Sequence, residues 1–186
     1  MPTKIIIITV LLAGLFGVAF AEGDEQRVFG WVEMATIEPW GAEAKAKLDS
    51  GALTSSMHAE HVDGFEKNGE QWVRFTVEIK DEAKGEIVSK TFERPLYRDL
   101  TVQGAGGQDH RPVVLMKLCL GDTVYEEQFS LEDRDDMNYP ILLGRRTIQS
   151  LGLIDVTKTF LHGPSCGDGS AVQSHQNKEL DPDIGI

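Results

Sequence analysis

Ala46-Lys47-Leu48-Asp49-Ser50-Gly51-Ala52-Leu53-Thr54-Ser55-Ser56-Met57-His58-Ala59 is the stretch on which the fold class turns. Residues 44–49 alternate apolar and polar side chains, the period of a half-buried strand. That strand delivers Asp49 into a turn made by a hydroxyl residue and a glycine. Hydrolysis of an amide by water needs two carboxylates close enough to share a proton, one to activate the water and one to protonate the carbonyl. An aspartate on a sharp turn at the end of a buried strand is placed to meet such a partner. Gly51 leaves room for backbone amides to point at the carboxylate, and Ser50 can hydrogen-bond across the turn. Taken alone, Asp-Ser-Gly reads first as an Asx-type turn that merely closes a strand.

Outward from this stretch the chain reads as short strands divided by turn signals. Residues 28–37 are strand-like and stop at Glu38-Pro39-Trp40-Gly41. Residues 72–79 alternate strongly, and the polar link at 80–85 joins them to 86–92 as a hairpin would. Residues 113–120, a Gly121-Asp122 turn and residues 123–131 make a second hairpin. One short helix is expected over 145–151, ended by Gly152, with a return to strand at 153–156. Six to eight strands at short spacing with one small helix predict an all-β barrel or sandwich. From Gly163 onward no aromatic and no periodicity remain, and residues 163–186 are expected to be a disordered, acidic, solvated tail.

The first 21 residues stand apart. Lys4 precedes an apolar run from Ile5 to Ala21 with small residues at Ala19 and Ala21, the pattern of a signal peptide cleaved after Ala21. Removing those 21 of 186 residues leaves 165, with residues 22–27 as a linker into the folded domain. The chain is expected to be periplasmic or secreted, with no stable membrane anchor after cleavage. Thirty acidic residues against 18 basic give a net charge of −12, which repels phosphate and argues against a nucleic-acid partner. Two cysteines cannot make a disulfide scaffold or a four-thiolate zinc site. Export would let Cys119 and Cys166 pair, but Cys119 within an apolar alternation reads first as a small buried hydrophobe.

A second stretch raises the weight of Asp49. Asn138-Tyr139-Pro140-Ile141-Leu142-Leu143-Gly144-Arg145-Arg146-Thr147-Ile148 is an apolar strand, a glycine and a helix start, and Gly104-Ala105-Gly106-Gly107 is a glycine-rich tip between the two stretches. In that order these segments resemble the retropepsin-type aspartic proteases. In that family Asp-Thr/Ser-Gly-Ala ends one strand, a glycine-rich flap covers the cleft, and an apolar-Gly-Arg element passes behind the active-site loop. The likeness is closer to the bacterial branch named ATP-dependent zinc proteases, often found near ATP-grasp ligases. It is carried by Lys45-Ala46-Lys47-Leu48-Asp49-Ser50-Gly51-Ala52, by Thr54-Ser55 and His58-Ala59, by Arg111-Pro112-Val113-Val114, and by Asp133-Arg134 through Arg145. Ser50 stands where the branch has Thr, and Leu53 where it generally has Arg.

The resemblance implies a retropepsin-like closed β-barrel over residues 28–162 and an aspartic endopeptidase acting on peptide or protein substrates. By the same resemblance Asp49, Ser50 and Gly51 are catalytic, Ala52 and Gly104 to Gly107 bind substrate, and Leu143, Gly144 and Arg145 support the site. With one Asp-Ser-Gly in 165 residues, the second carboxylate would come from a homodimer. No cofactor and no metal are expected. The sequence carries neither H-E-x-x-H nor G-x-x-x-x-G-K-[ST], so neither zinc nor ATP dependence follows from the branch name. His58 and His61 read as turn or surface histidines rather than ligands, and Asp133, Asp135 and Asp136 as a solvated loop. The alternative is a non-catalytic module that holds a peptide or cell-wall material on the same barrel.

Overall fold

Alternation with a period of two shapes most of the backbone. The computed structural model of the protein describes residues 26–104, 107–135, 137–178 and 183–184; the proposed leader lies outside them. The strands are β1 (Val28–Gly30), β2 (Val32–Glu38), β3 (Ala42–Leu48), β4 (Ser55–His58), β5 (Glu60–Lys67), β6 (Glu70–Asp81) and β7 (Glu86–Pro95). They continue with β8 (Arg98–Gly104), β9 (Gly107–Leu120), β10 (Thr123–Glu132), β11 (Ile141–Leu143), β12 (Leu153–Asp155) and β13 (Val172–Gln173). The helix α1 (Arg145–Leu151) and a 3-10 turn (His175–Asn177) complete the order. In β3 the small residues Ala42, Ala44 and Ala46 and then Leu48 are buried, while Glu43, Lys45 and Lys47 point outward. That is the alternation of a strand with one wet face.

An eight-stranded sheet runs β13-β10-β4-β11-β3-β2-β9-β8, and β10 also pairs antiparallel with β9. Six strands therefore follow one another round a hydrogen-bonded circuit. Among the described residues the all-β class and the single short α-helix match the sequence expectation, but the sheets are not the clean closed barrel it implied. Strands β8 and β13 hang from the circuit as edges, β5, β6 and β7 form a sheet of their own, and β1 pairs with β12. Local pairing explains the separate sheet. Strands β6 and β7 form an uninterrupted hairpin ladder from Trp72↔Pro95 to Asp81↔Glu86, which satisfies their backbone groups without the larger sheet. Their inward residues Val73, Phe75, Val77, Ile79 and Phe92 still join the core, with Phe75 stacked on Phe92.

Strands β4 and β5 escaped the pattern reading. Strand β5 is exposed along most of its length and so lacks apolar alternation, and β4 is buried on both faces. The single strand expected at 28–37 is broken at Trp31, so that β1 and β2 serve different sheets. A buried carboxylate secures that break. Glu33, fully buried, accepts N–H bonds from Gly30 at 2.6 Å, Leu161 at 3.2 Å and His162 at 3.0 Å.

The largest departure concerns the expected tail, because residues 163–178 lie against the sheet. Cys166 is bridged to Cys119, and β13 adds in parallel to Val124 and Tyr125 of β10. The sequence missed this because the segment docks through backbone pairing, a covalent link and single polar anchors, none of which produces a hydrophobic period.

Candidate active site

Strand β3 ends by pairing parallel with β11, Leu143 opposite Leu48, and this carries Asp49 to the rim of the sheet. The Asp49 N–H donates to the Leu143 carbonyl at 2.8 Å, and the Ala52 N–H closes the turn onto the Asp49 carbonyl at 3.1 Å. The Asp49 carboxylate is doubly held: Oδ1 accepts the Gly51 N–H at 2.9 Å, and Oδ2 accepts the Lys47 ammonium at 3.0 Å. Burial is the largest single influence on this carboxyl and pushes its pKa up. The bonds from Lys47 and Gly51, with the Lys47 charge, outweigh it and leave the group below its ordinary range. The side chain is one quarter exposed, while Ser50 and Gly51 are open to solvent.

The segment that follows β11 clamps this turn from behind. Arg145 Nη1 donates to the Ser50 carbonyl at 2.9 Å and its N–H donates to the Ala52 carbonyl at 2.8 Å, while the Arg146 N–H takes the Leu53 carbonyl. Gly144 makes that approach possible, since a Cβ there would stand 2.7 Å from the Thr54 carbonyl carbon and 2.8 Å from the Leu53 oxygen. No larger residue fits between these two backbones. Leu143, Gly144 and Arg145, expected to support the site, thus all touch or flank the Asp49 turn.

Strands β8 and β9 form the expected hairpin, paired as far as Gly104↔Gly107. Ala105 and Gly106 lie outside the described residues. A cavity of about 430 Å³ separates this hairpin from the Asp49 turn, with Ala52, Leu53 and Thr54 on one wall and Leu100, Thr101 and Val102 on the other. Ala52 therefore lines the cleft. Gly107 and Asp49 are not among its lining residues. The cleft also holds a charge group that pattern reading did not assign. Glu132 Oε2 meets Arg111 at 2.7 Å and Arg134 at 3.1 Å, and Arg111 also pairs with Asp109. Lys47 was legible in principle: two residues before Asp49 on a strand is the same face.

His58 and His61 do not converge. His61 is 82% exposed, whereas His58 is buried rather than a surface residue and stands with Asp133 and Asp135 in metal-like spacing. The donor set argues against a metal there. His58 Nδ1 accepts the Arg134 N–H at 3.0 Å, so the neutral ring carries its hydrogen on Nε2, toward Glu60 and Asp135 at 3.5 Å. A metal needs a bare ring nitrogen. His58 instead pins the loop after β10, whose Arg134 also donates to Ser56 Oγ at 2.8 Å and to the Tyr139 carbonyl.

Comparison with known proteins places this geometry. A family model described as retropepsin-like aspartic endopeptidase RimB matches residues 28–165. A Shewanella pealeana protein named "Probable alpha-L-glutamate ligase" is 32% identical over 142 residues, covering 75% of this chain and 31% of that protein. A Desulfotalea psychrophila protein of the same name is 31% identical over 132 residues, covering 70% and 28%. This chain thus spans about a third of the length of the curated relatives it matches. The crystal structure of a Legionella pneumophila protein of unknown function is 35% identical, with a TM-score of 0.62 over 72% of this chain and 96% of that one.

Proposed function

The chain belongs to the RimB-like family of retropepsin-like aspartic endopeptidases, and from that premise we propose that it hydrolyses peptide bonds with two copies of Asp49, one from each chain of a homodimer. The observation that carries this reading is the Asp49 turn: a carboxylate at the end of a buried strand, clamped by Gly144 and Arg145 and open to a second copy. In the pair, like charge keeps one proton between the two carboxyls. The ionised carboxylate takes a proton from water as the oxygen attacks the carbonyl carbon. The protonated one gives its proton to the carbonyl oxygen, and a tetrahedral diol results. Collapse of the diol breaks the C–N bond while the first carboxyl passes its proton to the leaving amine and the second takes back a proton from a diol hydroxyl. The hairpin of β8 and β9 closes over the substrate, and residues Ala52 to Thr54 form the facing wall. Catalysis needs neither metal nor nucleotide.

Export is part of the proposal. It is supported by the leader-like run ending at Ala21 and by the Cys119–Cys166 bridge, a bond that persists in oxidising compartments. One observation favours a second reading, a module that holds peptides without cutting them: in the single chain Lys47 occupies Asp49 Oδ2, and Asp49 is not among the residues lining the cavity.

Digestion of a peptide library at several pH values, with the wild-type chain beside Asp49→Asn, separates the two. Cleavage should vanish in Asp49→Asn with folding intact, and activity should fall faster than linearly on dilution. Equal cleavage by Asp49→Asn, or by a proven monomer, would leave the binding reading in its place.

A further inference from the structure

Glu127 is a carboxylate in a core position. It lies on β10 between Tyr125 and Phe129, facing inward with them, and is 2% exposed. A buried charge is costly unless paired and hydrogen-bonded, and Glu127 is both. Its Oε1 meets the ammonium of Lys178, itself 6% exposed, an unusual place for a lysine. Its Oε2 accepts the Thr147 hydroxyl at 3.1 Å. The directions along the next links are then forced. Thr147 spends its hydrogen on Glu127, so at 2.8 Å it accepts from Ser55, and Ser55 Oγ accepts the Gly144 N–H at 3.0 Å. Gly144 sits between Leu143, whose carbonyl takes the Asp49 N–H, and Arg145, which holds the carbonyl of Ser50.

Lys178 reaches this place on a strap. From the bridge at Cys166 the chain pairs with β10 through Val172 and Gln173, and Ser174 Oγ and the His175 N–H both donate to Glu126 Oε2. Farther on, the carbonyl of Ile184 accepts Arg145 Nε at 3.1 Å, so the strap returns to the residue that clamps the turn.

We infer that Lys178 is a positioning residue for the Asp49 turn: it neutralises buried Glu127 and so holds the Thr147–Ser55–Gly144 hydrogen-bond chain in one direction. Without the ammonium, Glu127 must take up a proton or water, Thr147 loses its fixed acceptor, and the Gly144 N–H loses an ordered partner. Burial pushes the Lys178 amine down to about 8. The catalytic side of this inference rests on the reading of Asp49 as a protease carboxylate, whereas the strap itself does not.

The test uses the full chain after leader removal, as wild type, Lys178→Met, Lys178→Arg and the double variant Lys178→Met/Glu127→Gln. Amide exchange at Gly144 is read by NMR, and kcat and KM are measured on a peptide the wild type cleaves. In Lys178→Met, Gly144 exchange should speed up and kcat fall by about tenfold each, the scale at which a slight misplacement acts. KM should hold, because the cleft walls are unchanged. Lys178→Arg should stay near wild type, and the double variant should recover both values, since a glutamine still accepts from Thr147 without a charge to neutralise. Unchanged Gly144 exchange in Lys178→Met would overturn the inference. So would exchange that rises equally in β5 to β7, or a double variant no better than the single one. If the wild type cleaves no peptide, the protease reading falls and Gly144 exchange alone still decides the strap.

Discussion

Lys47 and Asp49 share the outer face of one strand end, with Nζ 3.0 Å from Oδ2, and this ion pair helps to hold the candidate catalytic carboxyl below its ordinary pKa. Both side chains are partly exposed, so the pair is screened and adds little to stability. Its consequence is local. Lys47 favours an ionised Asp49, whereas a dyad needs one of its two carboxyls protonated.

Replacing Lys47 with Met should therefore raise the Asp49 pKa. The sign follows from the balance at the site, since burial already pushes the carboxyl up and Lys47, with the Gly51 and Ala52 amides, brings it down. A carboxyl-carbon NMR titration of the dilute, monomeric chain measures this. An Asp49 midpoint that stays put or falls in Lys47→Met would contradict the assignment of Lys47 as the controlling charge.

Gly144→Ala should destabilise the chain by about 1–3 kcal/mol through overpacking, because the new methyl meets rigid backbone at Leu53 and Thr54 rather than a movable side chain. Urea unfolding reads the loss. The Asp49 turn should loosen with it, seen as faster exchange at the Ala52 N–H, which now closes the turn.

Cys166→Ser should cost about 2–4 kcal/mol, as expected when the link closing a 47-residue loop is removed. The strap beyond residue 166 should gain amide exchange before the core strands do. Denaturant midpoints of oxidised wild type and Cys166→Ser, compared without reductant, give the difference. Midpoints that coincide would mean that β13 and its anchors hold the strap unaided.

Acid should weaken the attachment of Arg27. The Arg27 guanidinium grips Asp122 through two bonds of 2.6 and 3.0 Å, and with Thr123 it holds this carboxyl at about 2 instead of 3.8. A carboxyl lowered in the folded state contributes stability above its unfolded value and loses it as pH falls through the folded one. Stability should therefore decline from about pH 4 toward pH 2, and Asp122→Asn should flatten that part of the curve. Thermal melts at half-unit pH steps would reveal whether the slope changes.

What the sequence by itself determined is local and periodic. Period-two alternation marked β3, β6, β7 and the β9–β10 hairpin, Gly152 marked the end of α1, and the Asp-Ser-Gly turn with its Leu-Leu-Gly-Arg counterpart marked the candidate site. Each signal lies within one short window, so neighbouring side chains suffice to write it. Only the tertiary structure decided the rest. The division into three sheets depends on which strand edges meet, and β5 betrays nothing because it buries too little to alternate. His58 looked like half of a surface pair with His61 until Arg134, 76 residues away, supplied the N–H that fixes its ring. Lys178 looked like one charge in a loose polar tail. Its side chain is buried against Glu127, 51 positions earlier and itself in the core, and a pairing of two isolated charges leaves no period in the chain for a pattern to find.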